Sequence, residues 1–171
     1  MTKYILLFRG INVGGKNRLA MKDLKQTLIA NGFQDVDTYI QSGNIVLSAD
    51  ENPKQTVKHL AHEVFSLDID VFCLTEKEFS QITLLNPYKD KPGNHAHCYF
   101  CDDAIELNQV KVEKYQSDTE EITVKDNVLF LYAPDGVGRS KLVANIEACL
   151  GQQGTGRNLN TLNKLTQIIA Q

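Results

Sequence analysis

The sequence predicts an α+β protein made of two tandem βαββαβ-type halves, each an antiparallel sheet with helices on one face. Three observations carry this. Apolar runs of strand length alternate with stretches whose apolar residues recur every three or four positions. Hairpin signals join neighbouring strands at two places, 41–44 and 126–127. The order of elements then nearly repeats after a break at 86–94 that holds two prolines and a glycine.

Residues 4–8 (Tyr-Ile-Leu-Leu-Phe) read as a buried strand, followed by a Gly/Asn-rich loop. A helix then buries Met21, Leu24 and Leu28 and stops at Asn31-Gly32. Strands at 36–40 and 45–47 meet through Gln41-Ser42-Gly43-Asn44. Asn52-Pro53 opens a helix with Val57, Leu60, Ala61, Val64 and Phe65 inward. A fourth strand spans 69–74, and Thr75-Glu76-Lys77-Glu78 is a capping box for a short helix.

Beyond the break, 95–101 reads as a strand and 104–114 as a weaker helix. Strands at 121–125 and 128–132 form a hairpin, and a helix carrying Leu142, Val143, Ile146, Cys149 and Leu150 ends at Gly151. Residues 152–157 are too glycine-rich to assign, although a fourth strand belongs there. A last helix buries Leu162, Leu165, Ile168 and Ile169. Two ferredoxin-like domains are expected, at 1–88 and 92–171.

With 171 residues, 42% hydrophobic and 23% charged, the chain can bury a core and has the composition of a soluble globular protein. No apolar run approaches the roughly 20 residues that span a bilayer, so no membrane partner is expected. Four cysteines sit inside strand- or helix-like segments rather than in loops, which suits a reducing, cytoplasmic setting. A net charge of −3 argues against a general nucleic-acid coat. That average hides a gradient: residues 1–30 carry six cations against Asp23, and 102–126 carry eight carboxylates against three lysines.

The four arginines, Arg9, Arg18, Arg139 and Arg157, all lie in or beside glycine-containing stretches. A guanidinium is the side chain best shaped for phosphate or carboxylate. In a βαββαβ sheet the first and second strands run parallel, so the loop after the first and the turn after the second share one end. Arg9, Gly10, Asn12, Gly14, Gly15, Lys16, Asn17 and Arg18 are therefore expected near Gln41, Ser42 and Asn44, forming an anion site. The run from Gly10 to Asn17 matches a P-loop spacing, but Asn17 replaces the magnesium-binding hydroxyl and the sheet is not parallel. The alternative is a loop tied together by Asn12 and Asn17 as internal caps. A second candidate anion site, with Arg139 and Lys141, follows Asp135-Gly136-Val137-Gly138, where Ser140 reads as the N-cap. Arg157 and Asn158 complete the candidate ligand-binding set.

His95, His97, Cys98 and Cys101 resemble a metal cluster, but alternation on a strand sends Cys98 to the opposite face. No metal or other cofactor is expected. No Ser-His-Asp or Cys-His arrangement can be assembled, and Asp135 and Tyr39 are the only acid or base candidates near the loops.

At RGINVGGKN (9–17), TYIQSGN (38–44), DGVGRSKL (135–142) and RNLNTLNKL (157–165) the chain resembles a bacterial family, domain of unknown function 1697. The resemblance spans 3–165 and implies tandem ferredoxin-like domains, with no established activity. The family's last motif usually reads RNWNT, whereas Leu159 stands here in the tryptophan place. The leading functional expectation is binding of a phosphorylated small molecule or a nucleic-acid backbone. An enzyme acting on a phosphorylated substrate and a protein-interaction module are the alternatives, and no oligomeric state is implied.

Overall fold

The computed structural model describes all 171 residues. The first half contains β1 (Thr2–Phe8), α1 (Met21–Ala30), β2 (Gln34–Tyr39), β3 (Asn44–Ala49), α2 (Lys54–Phe65), β4 (Val71–Thr75) and α3 (Glu76–Leu85). The second contains β5 (Ala96–Cys101), α4 (Gln109–Tyr115), β6 (Glu121–Lys125), β7 (Val128–Tyr132), α5 (Lys141–Ala144), α6 (Ile146–Leu150), β8 (Gly154–Asn158) and α7 (Leu159–Ile169). Two four-stranded antiparallel sheets result, ordered β2-β3-β1-β4 and β6-β7-β5-β8. Both have the ferredoxin-like strand order.

Two compact units emerge: Met1–Gln81 with Asn163–Gln171, and Ile82–Leu162. In the first, Leu6, Phe8, Ile45 and Leu47 face Leu24 and Leu28 of α1 and Val57 and Ala61 of α2. The alternate residues Ile5, Leu7 and Val46 are buried as well, so β1 is covered on both faces. That explains why 4–8 is a continuous apolar run rather than an alternating one. The second unit packs Tyr99, Cys101, Leu129 and Leu131 against Val112, Leu142, Ile146, Cys149 and Leu150.

Local chemistry sets the element ends. The Thr75–Glu78 capping box forms, with the Glu78 amide donating to Thr75 Oγ1 at 3.1 Å and the Thr75 amide to Glu78 Oε2 at 3.4 Å. The helix expected at 104–114 begins only at Gln109, where Asn108 accepts the Lys111 amide as N-cap. Upstream, the Ile105 and Asn108 amides donate to the carbonyls of Asp126 and Cys149, which holds the chain in an irregular path. The helix expected to end at Gly151 is interrupted at Asn145, whose side chain donates back to the Lys141 carbonyl at 2.8 Å.

The glycine-rich stretch does form the fourth strand. β8 pairs with β5, and Gly156 lies under the Tyr99 ring, where an added Cβ would come within 2.6 Å of Cε1. Glycine here makes room for a buried aromatic side chain across the strand pair.

The proline-containing stretch after α3 is tied down within the second unit. Buried Asn86 accepts the Tyr88 amide at 2.9 Å and donates to Cys98 Sγ at 3.7 Å. Tyr88 stacks on Tyr132, 6.0 Å between centroids, and its hydroxyl meets Thr123 Oγ1 at 3.0 Å.

Candidate functional site

The end of the first sheet carries the candidate site. Antiparallel pairing sets Leu7 opposite Asn44, and the Phe8 amide donates to the Gly43 carbonyl at 2.9 Å. The loop after β1 and the turn between β2 and β3 therefore meet, as the topology predicts.

The P-loop-like run folds as a miniature hairpin. Val13 and Lys16 pair as an isolated bridge, the Lys16 amide donates to the Val13 carbonyl at 3.0 Å, and the Asn12 amide donates to the Asn17 carbonyl at 3.1 Å. Gly14 and Gly15 sit at φ 58° and 74°, the paired positive values that a type I′ turn demands. These glycines serve the turn, and the Lys16 amide is spent on it.

The asparagines hold the loop in place. Asn12 Nδ2 donates to the carbonyls of Leu19 (2.9 Å) and Gln41 (2.7 Å), and its Oδ1 accepts the Leu19 amide (2.8 Å). Asn17 Nδ2 donates to the Gly10 carbonyl at 3.0 Å. Both adopt left-handed φ, which asparagine tolerates. Asn44 is fully buried and donates to the Tyr39 carbonyl and Ser42 Oγ, each at 2.9 Å. Internal capping thus accounts for Asn12, Asn17 and Asn44.

Among the cations, Arg9 lies 3.6 Å from Asp70, so its charge is partly matched. Lys16 and Arg18 are exposed and have no ion-pair partner. The Arg18 guanidinium lies across Gly15, about 3.5 Å from where a Cβ would stand. Arg18 lines an open cleft of about 460 Å³ with Asn12, Gly15, Leu19, Ala20 and Gln41. Ala20 is the N-cap of α1 and offers no side-chain cap; the Asp23 and Leu24 amides bond the Ala20 carbonyl at 3.0 and 3.1 Å, which leaves the Met21 and Lys22 amides without a helical partner next to this cleft-lining residue. Leu19 and Ala20 were not among the expected site residues. The sequence signal was an alanine where Ser, Thr, Asp or Asn would close the helix.

Arg139 and Lys141 belong to a different place, in the second unit. Ser140 is the N-cap of α5, accepting the Val143 amide at 3.1 Å. With only four residues, α5 has little macrodipole to offer an anion. A cleft of about 380 Å³ opens beside it, lined by Arg139, Lys141 and Lys114 but also by Glu120 and Asp135. Asp135 accepts a hydrogen bond from the Thr119 hydroxyl there, and Tyr39 does not line the first cleft. No acid or base candidate therefore faces the Arg18 cleft.

Arg157 and Asn158 join neither cleft. Arg157 is 7% exposed, and donates to Thr155 Oγ1 at 2.6 Å and the Gly156 carbonyl at 2.9 Å. Burial lowers its pKa to about 10, so it stays charged at neutral pH. Asn158 accepts the Thr161 amide at 2.9 Å in the first turn of α7. Leu159 is buried, so the place the family gives to tryptophan is a core position here.

On β5, His97 Nε2 meets the Asn94 carbonyl at 3.2 Å, and burial lowers its pKa against the pull of that contact. No three His, Cys, Asp or Glu side chains cluster at metal-binding distance. Burial pushes the thiols of Cys73 and Cys98 up to about 12 and that of Cys101 to about 11, while Cys149 is also raised. None is a thiolate at neutral pH, which disfavours cysteine nucleophilic chemistry. With a colourimetric disulfide reagent, native protein should react at Cys73 alone and slowly. Cys98, Cys101 and Cys149, all buried, should react only in denaturant. Fast labelling of any of those three in native buffer would contradict their burial.

A family model described as "Protein of unknown function (DUF1697)" matches residues 1–130. The chain belongs to that family. The match runs from β1 into β7 and includes the whole Arg18 cleft. Among solved structures, the chain is similar to the conserved bacterial protein SP0830 from Streptococcus pneumoniae, with a TM-score of 0.76 and 24% identity over 98% of both chains. That likeness shows the shared fold. No curated protein matches the chain. No helix is long and apolar enough to cross a membrane.

Proposed function

We propose that this DUF1697 protein binds a small phosphate-bearing ligand in the cleft beside Arg18, in the cytoplasm of a bacterium. The observation that carries this reading is the uncapped first turn of α1 opening onto the same cleft as an unpaired guanidinium. The Met21 and Lys22 amides at a helix N-terminus favour an anion, and Arg18 adds a fork of charged donors. Lys16 and Lys22 raise the local potential, while Asp23 in the first turn opposes it. The four free cysteines fit a reducing compartment. Binding without chemistry is favoured over an enzyme because no acid, base or nucleophile lines this cleft.

Melting curves in phosphate or pyrophosphate, against chloride at equal ionic strength, test the proposal. A ligand at a hundred times its Kd stabilises by about 2.7 kcal/mol, so a specific rise in midpoint is readily seen. Arg18→Ala should remove the phosphate increment and Lys16→Ala should reduce it, with ligand-free midpoints little changed. Coincident curves in phosphate and chloride would defeat the proposal.

A further inference from the structure

The second unit carries a different kind of site. Its cleft of about 380 Å³ holds charges of both signs on one lining: Lys114, Arg139 and Lys141 with Glu120 and Asp135. None of the three cations forms an ion pair with either carboxylate. Lys114 instead lies over the Tyr115 ring, 5.3 Å from its centroid.

Glu120 is the informative member. It is only 8% exposed, and its carboxylate is held by two neutral donors, the Ser117 amide at 2.9 Å on Oε1 and the Ser140 hydroxyl on Oε2. Burying a carboxylate without a cation is costly, and cations on the same cleft are available yet held apart from it. Each carboxylate oxygen can accept a second hydrogen bond. A simple anion would meet Arg139 and Lys141 but would also face Glu120 and Asp135, and a simple cation would meet the opposite problem. One class of ligand satisfies both sets at once.

We propose that this cleft binds a small zwitterion, an amino-acid or short-peptide-like molecule that carries an ammonium and a carboxylate. The ammonium sits against Glu120 and Asp135, supplying the missing counter-charge. The carboxylate engages Arg139 and Lys141, where a guanidinium offers paired donors. The volume lies within the range of small-molecule sites. This site is separate from the Arg18 cleft, and the phosphate reading can fail without touching it.

The test is a titration of the full chain, followed by amide NMR shifts, with the dipeptide alanyl-alanine as probe. Two blocked forms accompany it: N-acetyl-alanyl-alanine, without the ammonium, and alanyl-alanine amide, without the carboxylate. The zwitterion should give saturable shifts centred on Ser117, Glu120 and Ser140, and either block should weaken binding by about tenfold or more. Arg139→Ala, an exposed change that leaves folding intact, should weaken the dipeptide about tenfold but leave the already weak amide form unaffected. Glu120→Gln should act in the same way on the acetylated form. Failure to saturate at tens of millimolar, or equal binding of a blocked form, would overturn the proposal. So would inorganic phosphate producing the same shifts, since that outcome marks a plain anion site.

Discussion

Gly43→Ala is expected to destabilise the first unit by roughly 2–5 kcal/mol, the sum of a backbone and a packing contribution. Gly43 sits at φ +89°, and an added Cβ would lie 2.6 Å from Phe8 Cβ and 2.8 Å from Ile11 Cδ1, both fully buried side chains. Left-handed backbone with a Cβ costs about 1–2 kcal/mol. Forcing a methyl into a packed core adds about 1–3 kcal/mol. Gly10→Ala is the control, because Gly10 has φ +73° with open space around it. It should lose only the backbone contribution, about 1–2 kcal/mol. Urea unfolding of both variants separates the terms, and equal losses would mean that the close approach to Phe8 carries no weight.

Asn12→Ala should cost about 2–4 kcal/mol through its three hydrogen bonds, at about 1 kcal/mol each, with the left-handed backbone adding to the loss. The donors and acceptors it leaves behind belong to Leu19 and Gln41, at the junction of the two segments that form the cleft. Asn12→Asp is the sharper variant. It keeps an acceptor for the Leu19 amide but turns a negative charge toward two carbonyls, so it should be no better than alanine. By contrast Lys16→Ala, at an exposed position, should stay within about 0.5 kcal/mol. A stable Asn12→Ala protein, measured by urea melting, would return this loop to solvent-held rather than side-chain-held structure.

The fold was legible because its signals are local and agree with one another. The apolar run at β1, the capping box at Thr75 and Glu78, and the turn at Asn31-Gly32 each specify one element without reference to the rest. The misses have long-range causes. β8 could not be read from glycines because what it needs, the Tyr99 ring, lies more than fifty residues upstream. The break at Asn145 arises where a side-chain amide competes with the helix backbone, which the apolar periodicity around it conceals.

At the candidate site, the convergence of two segments followed from topology alone. Which residues remain available to a ligand did not. Asparagine is equally suited to bind a phosphate and to bond its own backbone, and only coordinates reveal that Asn12, Asn17 and Asn44 are occupied. The carboxylate of Glu120 was hidden for a related reason. In sequence it is one of eight acids in a charged stretch, and only the Ser140 contact sets it apart.

The contact between Lys3 and the end of α7 bears on how this chain is made. Lys3 Nζ donates to the carbonyls of Ile169, 166 residues away, at 2.7 Å, and of Gln171 at 2.9 Å. Synthesis delivers β1 long before residues 163–171, so the first unit stays incomplete until the second has been made. Closing so long a loop costs roughly 4–5 kcal/mol of chain entropy when nothing else has folded, and far less once the intervening domain has shortened the path. Residues 163–171 thus act as a latch on the first unit, and a nascent chain stalled short of them should show a protease-sensitive N-terminal sheet beside a protected second unit.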